Sequence, residues 1–286
     1  MTRFFVIVVL CISLSAYGKD DAGFLLKISG ASKDVKVLRS NQLITPSEFL
    51  RLETGDQVSV SSDGTHIELS LSNGQYVRVD KAHPHTMAAA TGNYSITDNL
   101  FSWVASSLAP STSKPRTKIA SSKGPQKENA DELSMPLIKD GATLIAGERP
   151  VALAWLGGAA PFQVQLIRRD TRVVAFVGAS KTNRFVETVR LTPGAYEVLV
   201  HDANNREWRE KVIAVADQKL PSSPASFKEF PPEIGEILNI TWLAGLDQGK
   251  WILEAYARLA TKPQRTDTEN QLLVVLEAGR IPEQDR

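Results

Sequence analysis

The sequence predicts a mainly β chain: a small β domain, a flexible linker, a two-sheet β-sandwich and a short C-terminal α-helical tail. Three observations lead there. Apolar and polar residues alternate in short runs over residues 24–80 and again over 137–216, the period-two pattern of half-buried strands. Turn dipeptides punctuate both stretches. Beyond Glu233 the apolar spacing changes to three and four, the period of an amphipathic helix.

The chain has 286 residues, room for two or three domains of about 100–200 residues each. Residues 1–18 differ from all that follows. Arg3 forms a positive start, Phe4 to Ser15 is almost purely apolar, and Ala16-Tyr17-Gly18 supplies small residues where a signal peptidase cuts. This is the pattern of a secretory signal peptide, and the run is short of the roughly 20 residues that span a bilayer. Export to the periplasm is the resulting expectation. Cys11 is the one cysteine, and Leu10 before it argues against lipidation. The mature chain then has no thiol, which excludes a disulfide scaffold, a thiol nucleophile and cysteine-held metal. The formal net charge is +1 for the full chain and falls to zero without Arg3. Nucleic acid calls for a basic surface, so it is not an expected partner. No later stretch is apolar enough for a transmembrane span.

The first domain is placed at residues 19–104. Leu25-Leu26-Lys27-Ile28, Val35 to Leu38 and Gln57 to Val60 read as strands. Ile67, Leu69 and Leu71 share one strand face. Asp63-Gly64 and Asn73-Gly74 read as hairpin turns, since such dipeptides tolerate positive φ. Leu100 to Val104 reads as an apolar plug that packs back on this domain. Residues 105–135, rich in Ser, Thr, Pro and Lys, have linker composition. Residues 136–217 carry short strands at regular turn spacing: Val151 to Trp155, Phe162 to Leu166, Val173 to Val177, Tyr196 to Val200 and Glu210 to Val215. That spacing predicts an immunoglobulin-like sandwich with Trp155 in its core. Residues 218–232 form a proline-rich bridge. The tail, 233–286, reads as three helices, broken at Gly249 and before Pro263, with a capping box at Thr266 and Glu269 and a C′ glycine at Gly279. Such a unit buries its apolar face poorly alone, so it should dock on the sandwich or on a partner.

The opening strand Leu25 to Ile28, the turn Gly55-Asp56-Gln57-Val58 and the hairpin Ile67 to Val79 around Asn73-Gly74 resemble the FecR domain, a periplasmic β-rich domain of bacterial envelope and signalling proteins. The match covers about a fifth of the chain. The resemblance implies the fold and the compartment. FecR-type regulators also carry a cytoplasmic segment and a membrane helix, which this pattern lacks, so direct control of a cytoplasmic sigma factor is not implied. Leu191 to Tyr196, reading Leu-x-Pro-Gly-x-Tyr, resembles the strand entry of bacterial immunoglobulin-like or fibronectin-type modules.

Catalytic constellations are missing from the sequence. No G-x-S-x-G elbow occurs, and His66 and Glu68 sit on the polar face of a strand. Asp56, Asp63, Glu68 and Asp80 fall on turns and outward faces, which recommends no pair for glycoside hydrolysis. Gly157-Gly158 precedes no helix and so makes no phosphate cradle. His83-Pro84-His85 could hold zinc or copper only if further ligands converged, and no metal or cofactor is assigned. Trp208, flanked by Arg206, Glu207, Arg209 and Glu210, is a candidate anchor for a partner, with a core position as its rival reading. Trp242, Trp251 and Tyr256 on the tail helices are the other partner-binding candidates. The sequence therefore predicts an exported non-enzymatic envelope protein, an adaptor for an envelope or membrane protein, with binding of peptidoglycan glycan as the alternative.

Overall fold

The computed structural model describes residues 21–89, 96–108, 132–138 and 141–283. The signal-peptide reading of residues 1–18 and most of the linker, 109–131, lie outside these. The chain divides into two units at residues 93/94.

The first unit is built from β1 (Asp21–Ser29), β2 (Val35–Arg39), β3 (Gln42–Ile44), β4 (Leu50–Glu53), β5 (Gln57–Val60), β6 (His66–Leu71), β7 (Tyr76–Val79) and β8 (His85–Thr86). They form two four-stranded antiparallel sheets, β4-β1-β6-β7 and β3-β2-β5-β8. Leu25, Val37, Leu52, Val58, Ile67, Leu69 and Val79 fill the core. The turn chemistry differs from the sequence expectation. Asp63-Gly64 joins β5 to β6, which lie in different sheets, so it is a crossover and not a hairpin. At Asn73-Gly74 only Gly74 adopts positive φ, 81°. The two-residue hairpin with both residues left-handed is Ser40-Asn41, at φ 50° and 62°, between paired Arg39 and Gln42. Asn tolerates that region, and mirror-image turns match strand twist.

Asp56 is 1% exposed, and its role is structural. Arg39 on one sheet donates from Nε to Oδ1 at 3.0 Å and from Nη2 to Oδ2 at 2.7 Å. Glu53 N–H, in the other sheet, donates to Oδ2 at 2.9 Å. Arg39 also pairs with Glu53 Oε1 at 2.6 Å and donates to the Arg51 carbonyl at 2.8 Å. One guanidinium thus ties the two sheets together.

The second unit opens with α1 (Ile96–Leu108). This corrects the apolar-plug expectation. Leu100, Phe101 and Val104 are buried, but α1 belongs to the second unit. There it contacts α2 (Pro232–Gly245) and α4 (Asp267–Glu277), and Phe101 meets Phe230 edge-on at 5.5 Å. With α3 (Ile252–Ala260), which contacts both α2 and α4, the helices close a four-membered cluster. Both ends of the expected 105–135 linker are likewise structured: α1 runs to Leu108, and Leu133 and Met135 are buried. The proline-rich bridge is packed too, with Phe227 4% exposed and edge-on to Trp242 at 6.4 Å.

The sandwich pairs β10 (Gly147–Ala154) with β13 (Arg184–Leu191) against a five-stranded sheet. That sheet runs β12 (Val174–Ser180), β11 (Phe162–Arg168), β14 (Gly194–His201), β15 (Glu207–Val215), β9 (Ala142–Ile145), with β9 parallel to β15. This is the strand arrangement of an immunoglobulin-like sandwich. Trp155 is 2% exposed and edge-on to Phe162 at 5.0 Å. Tyr196, at the start of β14, donates to the Thr192 carbonyl and accepts from Thr192 N–H, both at 3.0 Å, a tyrosine corner. The Val151–Trp155 run was expected to be half-buried, yet Ala152 and Ala154 are as buried as their large neighbours. The reason is the helical layer, since α3 packs along both β9 and β10.

Glu254 of α3, 0% exposed, makes that junction. Its Oε2 accepts from Ile145 N–H at 3.1 Å, both oxygens accept from Arg149 Nη1 at 2.8 Å, and Oε1 accepts from Arg258 Nε at 2.8 Å. Thr143 N–H donates to the Lys250 carbonyl at 2.6 Å. The chain reaches α3 through three left-handed residues, Asp247, Gln248 and Gly249. Helix α4 carries the capping box at Thr266 and Glu269, and ends at Gly279 with φ 68°.

Glu254→Ala is expected to lower unfolding stability by about 3 kcal/mol, the low end for breaking a buried pair because Arg149 and Arg258 can turn to water. Urea denaturation followed by tryptophan fluorescence checks this, and a change under about 1 kcal/mol would contradict the junction's role.

Candidate functional site

The sequence-predicted partner residues do not gather at one surface. Trp242 and Trp251 are 7% exposed and Tyr256 is 1% exposed. All three serve the helical cluster and its contact with the sandwich, because α1 and the sandwich cover the apolar faces that three helices alone would leave open. Trp208 is half-buried on β15, opposite Val200, which is fully buried. Its parity is that of Val212 and Ala214, so it caps the end of the sandwich core. All four side chains are buried or half-buried, so packing, the rival reading given for Trp208, accounts for their positions. Among the described residues of α2 to α4, Val274 is the large apolar side chain left exposed.

His83 and His85 also diverge. His83 Nδ1 lies 2.9 Å from Asp80 Oδ1 in an exposed turn, whereas His85 sits in β8 opposite Val58. The hydrogen bond from His83 holds the Asp80 carboxyl below the usual carboxylate range. Among the described residues no group of three His, Cys, Asp or Glu side chains is placed to hold a metal ion.

A cleft of about 440 Å³ opens at one end of the sandwich, lined by Trp155, Leu156, Gly157, Gly158, Asn183, Arg184 and Glu277. Its chemistry is that of a fixed wall. Arg184 grips Glu277 with two bonds, 2.7 Å from Nε and 2.9 Å from Nη2. Tyr256 donates its hydroxyl to Glu277 Oε1 at 2.9 Å. Burial and the neighbouring carboxylate push the Tyr256 phenol far above its ordinary value, so it stays a donor. Asn183 donates to the Gly157 carbonyl at 2.7 Å. Both carboxylate oxygens of Glu277 are thus engaged, which leaves no base poised beside a nucleophile in this lining.

Asp202, in the β14–β15 turn, holds the loop that forms the cleft's rim. Its side chain accepts from Ala159 N–H at 3.0 Å, Asn204 N–H at 2.9 Å, Arg206 N–H at 2.8 Å and Arg206 Nε at 2.7 Å. Ala203 N–H returns a bond to the Ala159 carbonyl at 2.8 Å. Burial opposes ionisation of Asp202, but the backbone donors of Arg206 and Ala159, with the guanidinium, hold its carboxyl below the usual range.

A second surface lies along β12. Val173, Val174 and Val177 are exposed by 61%, 48% and 52%. Beneath them Phe176 and Phe185 meet edge-on at 5.3 Å. Gly178 lies against both rings, where an added Cβ would come within 2.6 and 2.7 Å of them. Periodicity alone could not reveal this surface, because a valine-rich run reads equally as a buried central strand.

No protein-family model matches the chain, and no curated protein matches it. Several solved structures are loosely similar. The ZIG-8–RIG-5 IG1–IG1 heterodimer shares 13% identity over 26% of this chain and 82% of its own, at a TM-score of 0.20. The BSP domain of a biofilm-associated protein shares 14% over 67% of this chain and 32% of its own, at 0.27. Clostridium thermocellum CbhA fibronectin(III)-like modules share 8% over 72% of this chain and 85% of their own, at 0.23. At these scores the likenesses carry no inference about function.

The Asp202 carboxyl titrates lower in the folded than in the unfolded state. Its stabilisation is therefore full above the unfolded value of about 3.9 and is lost as pH falls through the folded value. Asp202→Asn is expected to lower the melting temperature at pH 7, with the gap to the native chain shrinking below about pH 4. A pH series of thermal melts checks this, and a gap that is constant with pH would contradict it.

Proposed function

We propose that this chain is an exported, non-enzymatic binding protein of the cell envelope, acting as an adaptor for another envelope or membrane protein. The exposed valines of β12, Val174 and Val177 with Val173 beside them, carry the reading, on a module whose core is otherwise closed. Large exposed apolar patches on a soluble fold mark interaction sites. Support for export comes from residues 1–18, and the FecR-like reading of the first unit rests on the sequence resemblance of its Gly55-Asp56 turn. Among the described residues no helix is long and apolar enough to cross a membrane.

The cell-wall glycan alternative has less support. Sugar recognition uses exposed aromatic platforms, and among the described residues Tyr76, at 37%, is the one Phe, Tyr or Trp side chain exposed by more than about a third. The non-enzymatic reading draws on the engaged state of Arg184, Glu277 and Tyr256 in the cleft.

The test is crosslinking of the intact mature chain in its own envelope fraction, followed by recovery. The adaptor reading predicts a defined protein partner that is lost in a Val174→Asp/Val177→Asp variant. Sedimentation with purified peptidoglycan and no protein partner would replace it with the glycan reading.

A further inference from the structure

The five-stranded sheet has two edges, and the fold treats them oppositely. At β9 the N–H groups of Thr143 and Ile145 are taken by the Lys250 carbonyl and the Glu254 carboxylate. At β12 nothing comparable occurs. Among the described residues, the backbone of Val174–Ser180 bonds only to β11. Natural sheets blunt such edges with proline, inward charges, covering helices or β-bulges, and the one such device in β12 is a bulge at Ala175 that leaves Phe176–Ser180 as the open length. The stretch Val-Ala-Phe-Val-Gly-Ala-Ser contains no proline and no charge. A register shift near Ala175 interrupts the pairing with β11, after which Phe176 to Ser180 is regular. Five residues are a typical strand length.

The ends of this edge are basic. Arg172 is 70% exposed and reaches Glu197 only at 3.9 Å. Lys181 is exposed and has no ion pair among the described residues. A second copy pairing antiparallel with Phe176 opposite Val177 would set Arg172 of one chain opposite Lys181 of the other at both ends. Like charges at such cross-strand positions are destabilising. Acidic residues in the same places would be attracted.

From these observations we propose that β12 is a strand-acceptor edge, and that it takes an extended segment of a partner protein with β-branched residues in its middle and acidic residues at its ends. The segment adds as a sixth strand. Main-chain bonds to Phe176–Ser180 supply the affinity, the valines form the contact face, and Arg172 and Lys181 select charge. This rests on the protein-binding reading above and specifies its mode.

The test uses the mature chain and a capped ten-residue peptide of alternating valine and threonine with two glutamates at each end. Its counterpart has lysines in place of the glutamates. The acidic peptide is expected to slow amide exchange at residues 174–180, to leave 142–145 unchanged, and to bind at least tenfold more tightly than the lysine peptide. An R172E/K181E variant with an unchanged melting temperature should reverse that preference. The proposal is overturned if the acidic peptide leaves β12 unprotected. Equal binding of both peptides, or self-association of the chain through β12, also overturns it. An envelope partner still captured by R172E/K181E at native strength would sink the β12 assignment while sparing the adaptor reading. Peptide binding without any envelope partner would do the reverse.

Discussion

The second unit depends on one buried carboxylate. A glutamate at zero exposure is tolerated only when its charge is paired and its lone pairs are filled. Glu254 meets both conditions with Arg149, Arg258 and the Ile145 N–H. Each partner comes from a different place: a sandwich strand, the glutamate's own helix, and the free side of an edge strand. The same contact therefore neutralises a charge, positions α3 and closes a sheet edge. Helix α3 in turn receives α2 and α4, and α1 packs on those two. The helical tail is thus a structural wall of the sandwich, not an appendage awaiting a partner.

That arrangement redistributes the surfaces available for function. With the β9 side closed by the helices, the sandwich opens to solvent along β12 and at the cleft beside Arg184 and Glu277. The cleft is lined by groups already satisfied by one another, which suits a rigid wall better than a reactive centre. The β12 side offers unpaired backbone, exposed valines and basic residues, Arg172 and Lys181, at its ends. In the first unit, the acidic turn at Gly55-Asp56 is a fastening, since Asp56 is consumed by Arg39 and the Glu53 N–H.

Much of the architecture was legible in the sequence because it follows from local period. The alternation in Ile67 and Leu69, the capping box at Thr266 and Glu269, and the tyrosine entry at Leu191–Tyr196 are short-range signals with direct structural causes. Misreadings arose where tertiary contacts decide. Ala152 and Ala154 look like solvent-facing positions until a helix is laid beside them. Trp242, Trp251 and Tyr256 look like an uncovered face because the helix that helps cover it, α1, lies more than a hundred residues earlier. Ser40-Asn41 escaped notice because it lacks the glycine that marks most two-residue hairpins. The β12 edge was hidden for the same reason as α1: which strand ends a sheet is set by topology, not by composition.

The central claim is that α3 and the sandwich strands β9 and β10 form a single cooperative body fastened by Glu254. Native-state hydrogen exchange on the intact chain tests it most directly. The account predicts that amides of residues 252–260 open with the same free energy as those of 142–145 and 151–154, and that Glu254→Ala lowers all three together. Rapid exchange of α3 over protected β10 amides would contradict it and return the tail to the status of an independent, partner-seeking segment.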